Sequence, residues 1–181
     1  FSTMPANDVA LYGKFELNTY NITYNLTGGV NAANPETFTI LSDTITLLNP
    51  TRTGYSFAGW YNNPSFTGDP ITQITSGSFG NIDLYAKWTI NQYSISFNSN
   101  GGTSVGSITQ NFGTTVVEPN APTREGYQFG GWYSDASLTT PYTFSTMPGS
   151  DITLYAKWNP NAYIIMLELN GGTMEGDPFL V

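Results

Sequence analysis

Thirteen carboxylates, five cations and a dense set of aromatic rings are the side chains of this 181-residue sequence that could do chemistry. It contains no His and no Cys, which removes the commonest general base, any thiolate nucleophile and the usual zinc ligands together. Catalysis would then fall to paired carboxylates of the glycoside-hydrolysing kind, and metal binding to an acidic calcium loop. No D-x-D-x-D-G loop is present; "GDP" at 68–70 and 176–178 reads as turn chemistry. The spacing of the acids singles out no pair. Two long stretches of the chain are alike, and when they are superposed Asp135 falls opposite Asn63, Glu125 opposite Thr53, Asp151 opposite Asn81 and Glu118 opposite Thr46. No acid meets an acid, so a carboxylate pair would not be a property of the repeat. The expectation is a chain with no catalytic residue, no metal site and no cofactor.

The cations behave in the opposite way. Arg52 matches Arg124, and Lys87 matches both Lys157 and Lys14, so all five positive charges occupy recurring positions. Their aliphatic stems can cover aromatic surface while the heads stay solvated or meet an acceptor. As a binding surface, the same positions with their neighbours Tyr85, Lys87, Tyr155 and Lys157 would contact a ligand through rings and charge. Alternation sets the lysines opposite the Leu-Ala-Trp face of their strands, which argues against an isopeptide bond. The net charge of −8 and pI near 4.1 would make a phosphate backbone or an anionic lipid surface repel the chain, so nucleic acid is not an expected partner. No apolar run reaches the roughly 18 residues of a membrane span, and no membrane insertion is expected. The chain begins at Phe1 with no basic, apolar leader, from which a signal peptide is expected to have been removed or to lie outside the sequence. The sequons at 21–23 and 25–27 fall within an expected strand and in a composition rich in Asn and Thr, so chance accounts for them.

Internal repetition organises these residues. "NPTRTGYSFAGWY" (49–61) aligns with "APTREGYQFGGWY" (121–133), "IDLYAKW" (82–88) with "ITLYAKW" (152–158) and with "VALYGKF" (9–15), and "YSISFNSNGGT" (93–103) with "YNITYNLTGGV" (20–30) and "YIIMLELNGGT" (163–173). Three blocks recur in a fixed order with a period near 70 residues. The expected division is 18–88 and 89–158 as complete repeats, 1–17 as the end of a preceding repeat, and 159–181 as the beginning of a following one.

The ordered blocks Y-x-I-x-F-x-x-N-G-G, P-T-R-x-G-Y-x-F-x-G-W-Y and L-Y-A-K-W resemble the Listeria/Bacteroides repeat family, also described as internalin B-type B repeats. The resemblance covers both complete and both partial repeats. It implies tandem small β-grasp-like, ubiquitin-like modules, each with one short helix, on bacterial proteins that are secreted or held at the cell surface. It says less about activity, because such repeats usually act as stalks or adhesive spacers.

The residues themselves read as mainly β, α+β at most. Tyr93, Ile95 and Phe97 alternate with Ser94, Ser96 and Asn98, the period of a half-buried strand, and Asn100-Gly101-Gly102 after it fits a hairpin turn. Second strands are expected at Thr37–Ile40 and Ile45–Leu48 in one repeat and at Val116–Glu118 in the other, ended by Pro50 and Pro122. In the aromatic block, alternation sends Tyr55, Phe57 and Tyr61 one way and Ala58 and Trp60 the other, so either both faces are covered or the strand twists at Gly59, with Gly131 the matching kink candidate. Leu84, Ala86 and Trp88 face a core, with Asp83, Tyr85 and Lys87 on the wet side. The stretches 62–81 and 134–150 are rich in turn residues and are where a short helix would lie.

The repeated aromatic block is therefore read as core. Tyr55, Phe57, Gly59, Trp60, Leu84 and Trp88 in one repeat, and Tyr127, Phe129, Gly131, Trp132, Leu154 and Trp158 in the other, are the expected structural motif, since a module near 70 residues has little other apolar surface to bury. The expected role is a non-enzymatic extracellular stalk, spacer or adhesive element. The alternative is a module binding glycans or a host surface protein through exposed Tyr or Trp. Apolar residues in the partial repeats, Val9, Leu11 and Phe15 at one end and Tyr163, Ile165, Leu167 and Leu169 at the other, further suggest self-association through 1–17 and 159–181, head to tail, as in a fibre.

Overall fold

The computed structural model describes Asp8, Ala10, residues 12–164, Glu168 and residues 170–172. Among the described residues every regular element is a strand: β1 (Thr19–Asn25), β2 (Thr37–Thr39), β3 (Ile45–Thr46), β4 (Tyr55–Tyr61), β5 (Gln73–Ile74), β6 (Ile82–Ile90), β7 (Gln92–Asn98), β8 (Ile108–Asn111), β9 (Tyr127–Tyr133) and β10 (Ile152–Pro160). They form two four-stranded sheets of order β2-β1-β6-β4 and β8-β7-β10-β9, with a small ladder between β3 and β5. The chain divides into two compact units: residues 1–93 together with 110–114 and 146–150, and residues 94–109, 115–145 and 151–181.

In the first unit β1 and β6 lie side by side and parallel, with Ile22 opposite Ile82 and Tyr24 opposite Leu84. The edges are antiparallel, β2 on β1 and β4 on β6. Alternation along β1 and β6 buries Ile22, Leu84 and Ala86, which meet Phe38, Leu47, Trp60 and Ile74 in one core, with Tyr20, Tyr24, Leu26, Phe57 and Trp88 packed around it. The second unit repeats the arrangement. Its β7 and β10 are parallel, with Ile95 opposite Ile152, β9 is antiparallel to β10, and Ile95, Val116, Trp132, Leu154 and Ala156 are buried.

Several expectations are corrected. Strict alternation through the aromatic block fails, because the register shifts between Phe57 and Gly59. Gly59 takes φ 127°, and Gly131 takes φ 102° beside the matching shift in β10. A bulge inserts one residue and reverses the phase of everything after it. Phe57 and Trp60, three apart, therefore share a face and pack edge to face at 5.4 Å, as do Phe129 and Trp132.

The Gly-Gly turn is not a hairpin loop, since 11 residues (26–36) separate β1 from β2. Thr27 and Gly28 (φ 48° and 87°) reverse the chain, and Gly29 leaves room for an indole: a Cβ there would come within 2.6 Å of Trp88 Cζ2. Trp88 Nε1 then donates to the Leu26 carbonyl at 2.9 Å, and Trp158 Nε1 to Ser99 at 2.8 Å.

In the second unit the strand beside β7 is β8, upstream of Val116–Glu118. That Val-Val stretch holds a single inward residue, Val116, whose N–H bonds to the Ser145 carbonyl, while Val117 is exposed. No helix occurs among the described residues. The stretch 62–81 carries Pro64 and Pro70 and positive φ at Phe66, Gly68, Gly77 and Gly80, all of which oppose a continuous helix.

Candidate functional site

The recurring cations and rings converge at the edge formed by β4 and β6, and again at β9 and β10. Each edge begins with a tight turn in which the Tyr55 N–H bonds to the Arg52 carbonyl at 3.1 Å, with Gly54 at φ 77°. The turn folds Arg52 back, so its guanidinium lies 3.7 Å above the Tyr55 ring and 6.0 Å from Trp88. Arg124 repeats this at 4.0 Å over Tyr127, and its Nη1 donates to the Asn100 carbonyl at 3.1 Å. Guanidinium over a ring face is favourable by roughly 0.5–1 kcal/mol where partly solvated.

Lys87 points away from the core face, but Tyr61 follows the bulge onto its side. The ammonium lies 5.2 Å from the Tyr61 ring and 5.9 Å from Phe66. Lys157 lies 5.1 Å from the Tyr133 ring, with its Nζ 3.4 Å from the Tyr133 hydroxyl. Tyr85, Lys87, Tyr155 and Lys157 are all half-buried rather than wet, because the bulge brings a ring across them. Trp60, 1% exposed, sits among Tyr24, Phe57 and the Leu48 carbonyl. Trp132, 2% exposed, packs on Phe97 and Phe129, and its Nε1 has no hydrogen-bond partner. Tyr55, Phe57, Trp88 and their counterparts Phe129 and Trp158 are half-buried, Tyr127 is slightly more open, and Leu84 and Leu154 are fully buried.

Two of the acids, Asp135 and Asp151, act as hydrogen-bond acceptors for the backbone. Asp135 accepts from the N–H groups of Thr139 and Thr140, the latter at 2.7 Å, and its counterpart Asn63 accepts from Thr67 N–H at 3.2 Å. Asp151 accepts from the Ser94 N–H at 2.7 Å, and Asn81 does the same for Asn21 at 3.0 Å. Carboxylate and carboxamide are interchangeable in these places, which a proton-transfer role would not permit. The Asp135 carboxyl is held below its ordinary range, chiefly by the Thr139 N–H. Among the described residues no cluster of three acids is grouped to hold a metal, and the one ion pair, Lys14 with Glu16 at 3.7 Å, is solvent-exposed.

One open groove of about 460 Å³ runs beside β1, lined by Asn21, Ile22, Tyr24, Leu26, Asn31 and Glu36 among others. Burial, and then the charge of Glu36, push the Tyr24 hydroxyl up to about 12. It donates to the Pro35 carbonyl at 2.8 Å.

A family model for the Listeria-Bacteroides repeat domain matches residues 20–87 and again 93–157. The chain belongs to this repeat family. It is 39% identical over 173 residues to a protein of Evansella cellulosilytica named "Putative Gly-rich membrane protein", covering 94% of this chain and 20% of that protein. It is 37% identical over 116 residues to Internalin H of Listeria monocytogenes, covering 62% of this chain and 20% of that protein. The chain thus spans about a fifth of the length of each of these relatives. No helix of the described residues is long and apolar enough to cross a membrane.

Two contributors carried no sequence signal. Asn34 is buried, accepting from the Leu48 N–H at 2.7 Å and donating to the Leu48 carbonyl and to Asn31, yet nothing in its neighbourhood distinguishes it from the other asparagines. Phe112 belongs to none of the three repeated blocks, but its ring meets both Tyr55 and Tyr93. Val9, Leu11, Ile165, Leu167 and Leu169, the centre of the end-strand expectation, and the "GDP" at 176–178 lie outside the described residues.

Proposed function

We propose that the chain is a non-enzymatic stalk, spacer or adhesive repeat region of a bacterial surface-exposed or secreted protein. Each repeat is then a β-grasp-like module in which turns replace the helix; the support is the pair of parallel central strands in each unit, flanked by antiparallel β2 and β4 in the first and by antiparallel β9 in the second. The observation that carries the reading is the fate of the reactive side chains. Both Arg–Tyr pairs, both Lys–Tyr pairs and the Asp/Asn caps are consumed in holding their own unit together. Membership of a repeat family and similarity to an internalin agree with this role.

The second reading, a module for glycans or a host surface protein, is favoured by the groove beside β1, whose Asn and Glu side chains could bond to sugar hydroxyls around an apolar floor. A glycan array together with binding to host cells separates the two. The stalk reading expects no saturable binding. Saturable binding that is lost in Tyr85→Ala, Tyr155→Ala or Glu36→Ala would replace it with the second.

A further inference from the structure

The second family match runs from 93 to 157, yet two short stretches inside it, 110–114 and 146–150, belong to the first compact unit. Within that unit they are tied to each other. The Gly113 N–H donates to the Met147 carbonyl at 3.0 Å, and the Met147 N–H to the Thr114 carbonyl at 2.8 Å. Thr114 closes the tip, its N–H and its hydroxyl both donating to the Asn111 carbonyl, the hydroxyl at 2.7 Å. The two stretches therefore make a clasp with Phe112 at its tip.

The clasp grips the turn that leads into β4. Gly54 is bridged to the start of β7 by Asn91, whose N–H donates to the Gly54 carbonyl at 3.0 Å and whose carboxamide donates to the Tyr93 hydroxyl at 3.3 Å. Phe112 joins this bridge through its own N–H, which donates to the Asn91 carbonyl at 2.9 Å. Its ring meets Tyr55 and Tyr93 edge to face, with centroids 6.2 and 6.4 Å away. The ring lies directly on Gly54, where any Cβ would collide with it, and Gly149 borders it: a Cβ there would stand 3.4 Å from Phe112 Cε2 and 3.5 Å from Thr53 Cγ2. Tyr55 is the ring on which Arg52 stacks, and it begins the strand that carries Trp60 into the core. What holds Tyr55 thus holds the aromatic block.

We propose that the 110–114 and 146–150 stretches are a structural clasp that completes the first unit, with Phe112 as its anchor. The folding boundary of that unit then does not coincide with the matched repeat at 20–87, and part of its stability is supplied from the stretch matched as the second repeat. The two aromatic pairs together are worth about tenfold in the stability of the unit they join. The inference stands on this geometry and not on the stalk reading.

Native-state amide exchange of the whole chain tests it, with Leu84 reporting on the first unit and Leu154 on the second. Phe112→Ala is expected to lower protection at Leu84 about tenfold, with a smaller loss at Leu154; complete loss at Leu84 alone would carry the same meaning. Phe112→Tyr, which keeps the ring, should lose little. Gly54→Ala both pushes the ring away and strains a backbone at φ 77°, whereas in the Phe112→Ala background only the strain is left. The double variant should therefore lose less than the sum of the two single losses, by about the same tenfold. Unchanged Leu84 protection in Phe112→Ala, a loss at Leu154 as large as that at Leu84, or a Gly54→Ala loss that is the same with and without the ring would overturn the proposal.

Discussion

Trp60 and Trp132 occupy matching positions but differ at one atom, and that difference fixes the sign of a comparison. Trp60 Nε1 donates to the Leu48 carbonyl at 3.2 Å, whereas Trp132 Nε1 is buried with no partner. Replacing either indole with phenyl removes comparable ring volume, which costs about 1–2 kcal/mol, a fraction of the ~3–5 kcal/mol for Trp→Ala. Trp60→Phe also loses a hydrogen bond with a net value of roughly 0.5–1.5 kcal/mol. The Leu48 carbonyl is not orphaned by this, since Asn34 still donates to it at 3.0 Å, so no further penalty is added. Trp132→Phe instead removes an unpaired buried donor, relieving about 1–3 kcal/mol. The expected cost is therefore about 1.5–3.5 kcal/mol for Trp60→Phe and near zero for Trp132→Phe. Urea unfolding combined with amide exchange at Leu84 and Leu154, one reporter in the central strands of each unit, assigns each loss to its unit. If Trp132→Phe destabilises its unit as much as Trp60→Phe does, the hydrogen-bond reasoning is wrong.

Asp135→Asn should leave the melting temperature at neutral pH unchanged, because Asn63 builds the same turn in the other unit, whereas Asp135→Ala should lower it. Because the Asp135 carboxyl is held below its ordinary 3.8, its contribution is complete above that value and is lost as pH falls through the depressed one; Asp135→Asn should remove that part of the acid limb in a pH series of melts. Gly29→Ala drives a methyl into Trp88 and should cost about 1–3 kcal/mol, with a shifted Trp88 indole N–H signal by NMR, while Gly106→Ala, in open space without positive φ, should be silent in both. Lys87→Met keeps the stem but removes the charge over Tyr61 and Phe66; a loss of roughly 0.5–1 kcal/mol in urea unfolding is expected, and no loss at all would mean that the ammonium is merely parked over the rings.

What the sequence disclosed was whatever depends on local period. The alternation of Tyr20, Ile22 and Tyr24, and of Leu84 and Ala86, is visible as letters because a strand has period 2, and these residues line the core. The bulge was legible only as a glycine in the right place, since its effect is to change the phase, and phase is set by the partner strand. The Arg–Tyr stacks have a faint signature, Arg three residues before Tyr with Gly between, in both copies. Asn34 and Phe112 have none. Their importance comes from positions brought together across the fold: Asn34 reaches Leu48, and Phe112 reaches Gly54, Tyr55 and Tyr93. The Val116–Glu118 expectation failed because β-branched residues signal a pleated surface without saying which stretch has a strand edge beside it.

The parallel pairing of β1 with β6 has a mechanical meaning. Within the matched repeat at 20–87 the chain starts along β1 and finishes along β6, and these strands are direct neighbours running the same way. Tension applied through the polypeptide would slide one past the other lengthwise, loading the bonds of that ladder at once rather than unzipping them singly. Resistance to pulling would then be governed by the barrier to this shear, a kinetic quantity, so a module of modest equilibrium stability could still hold under flow.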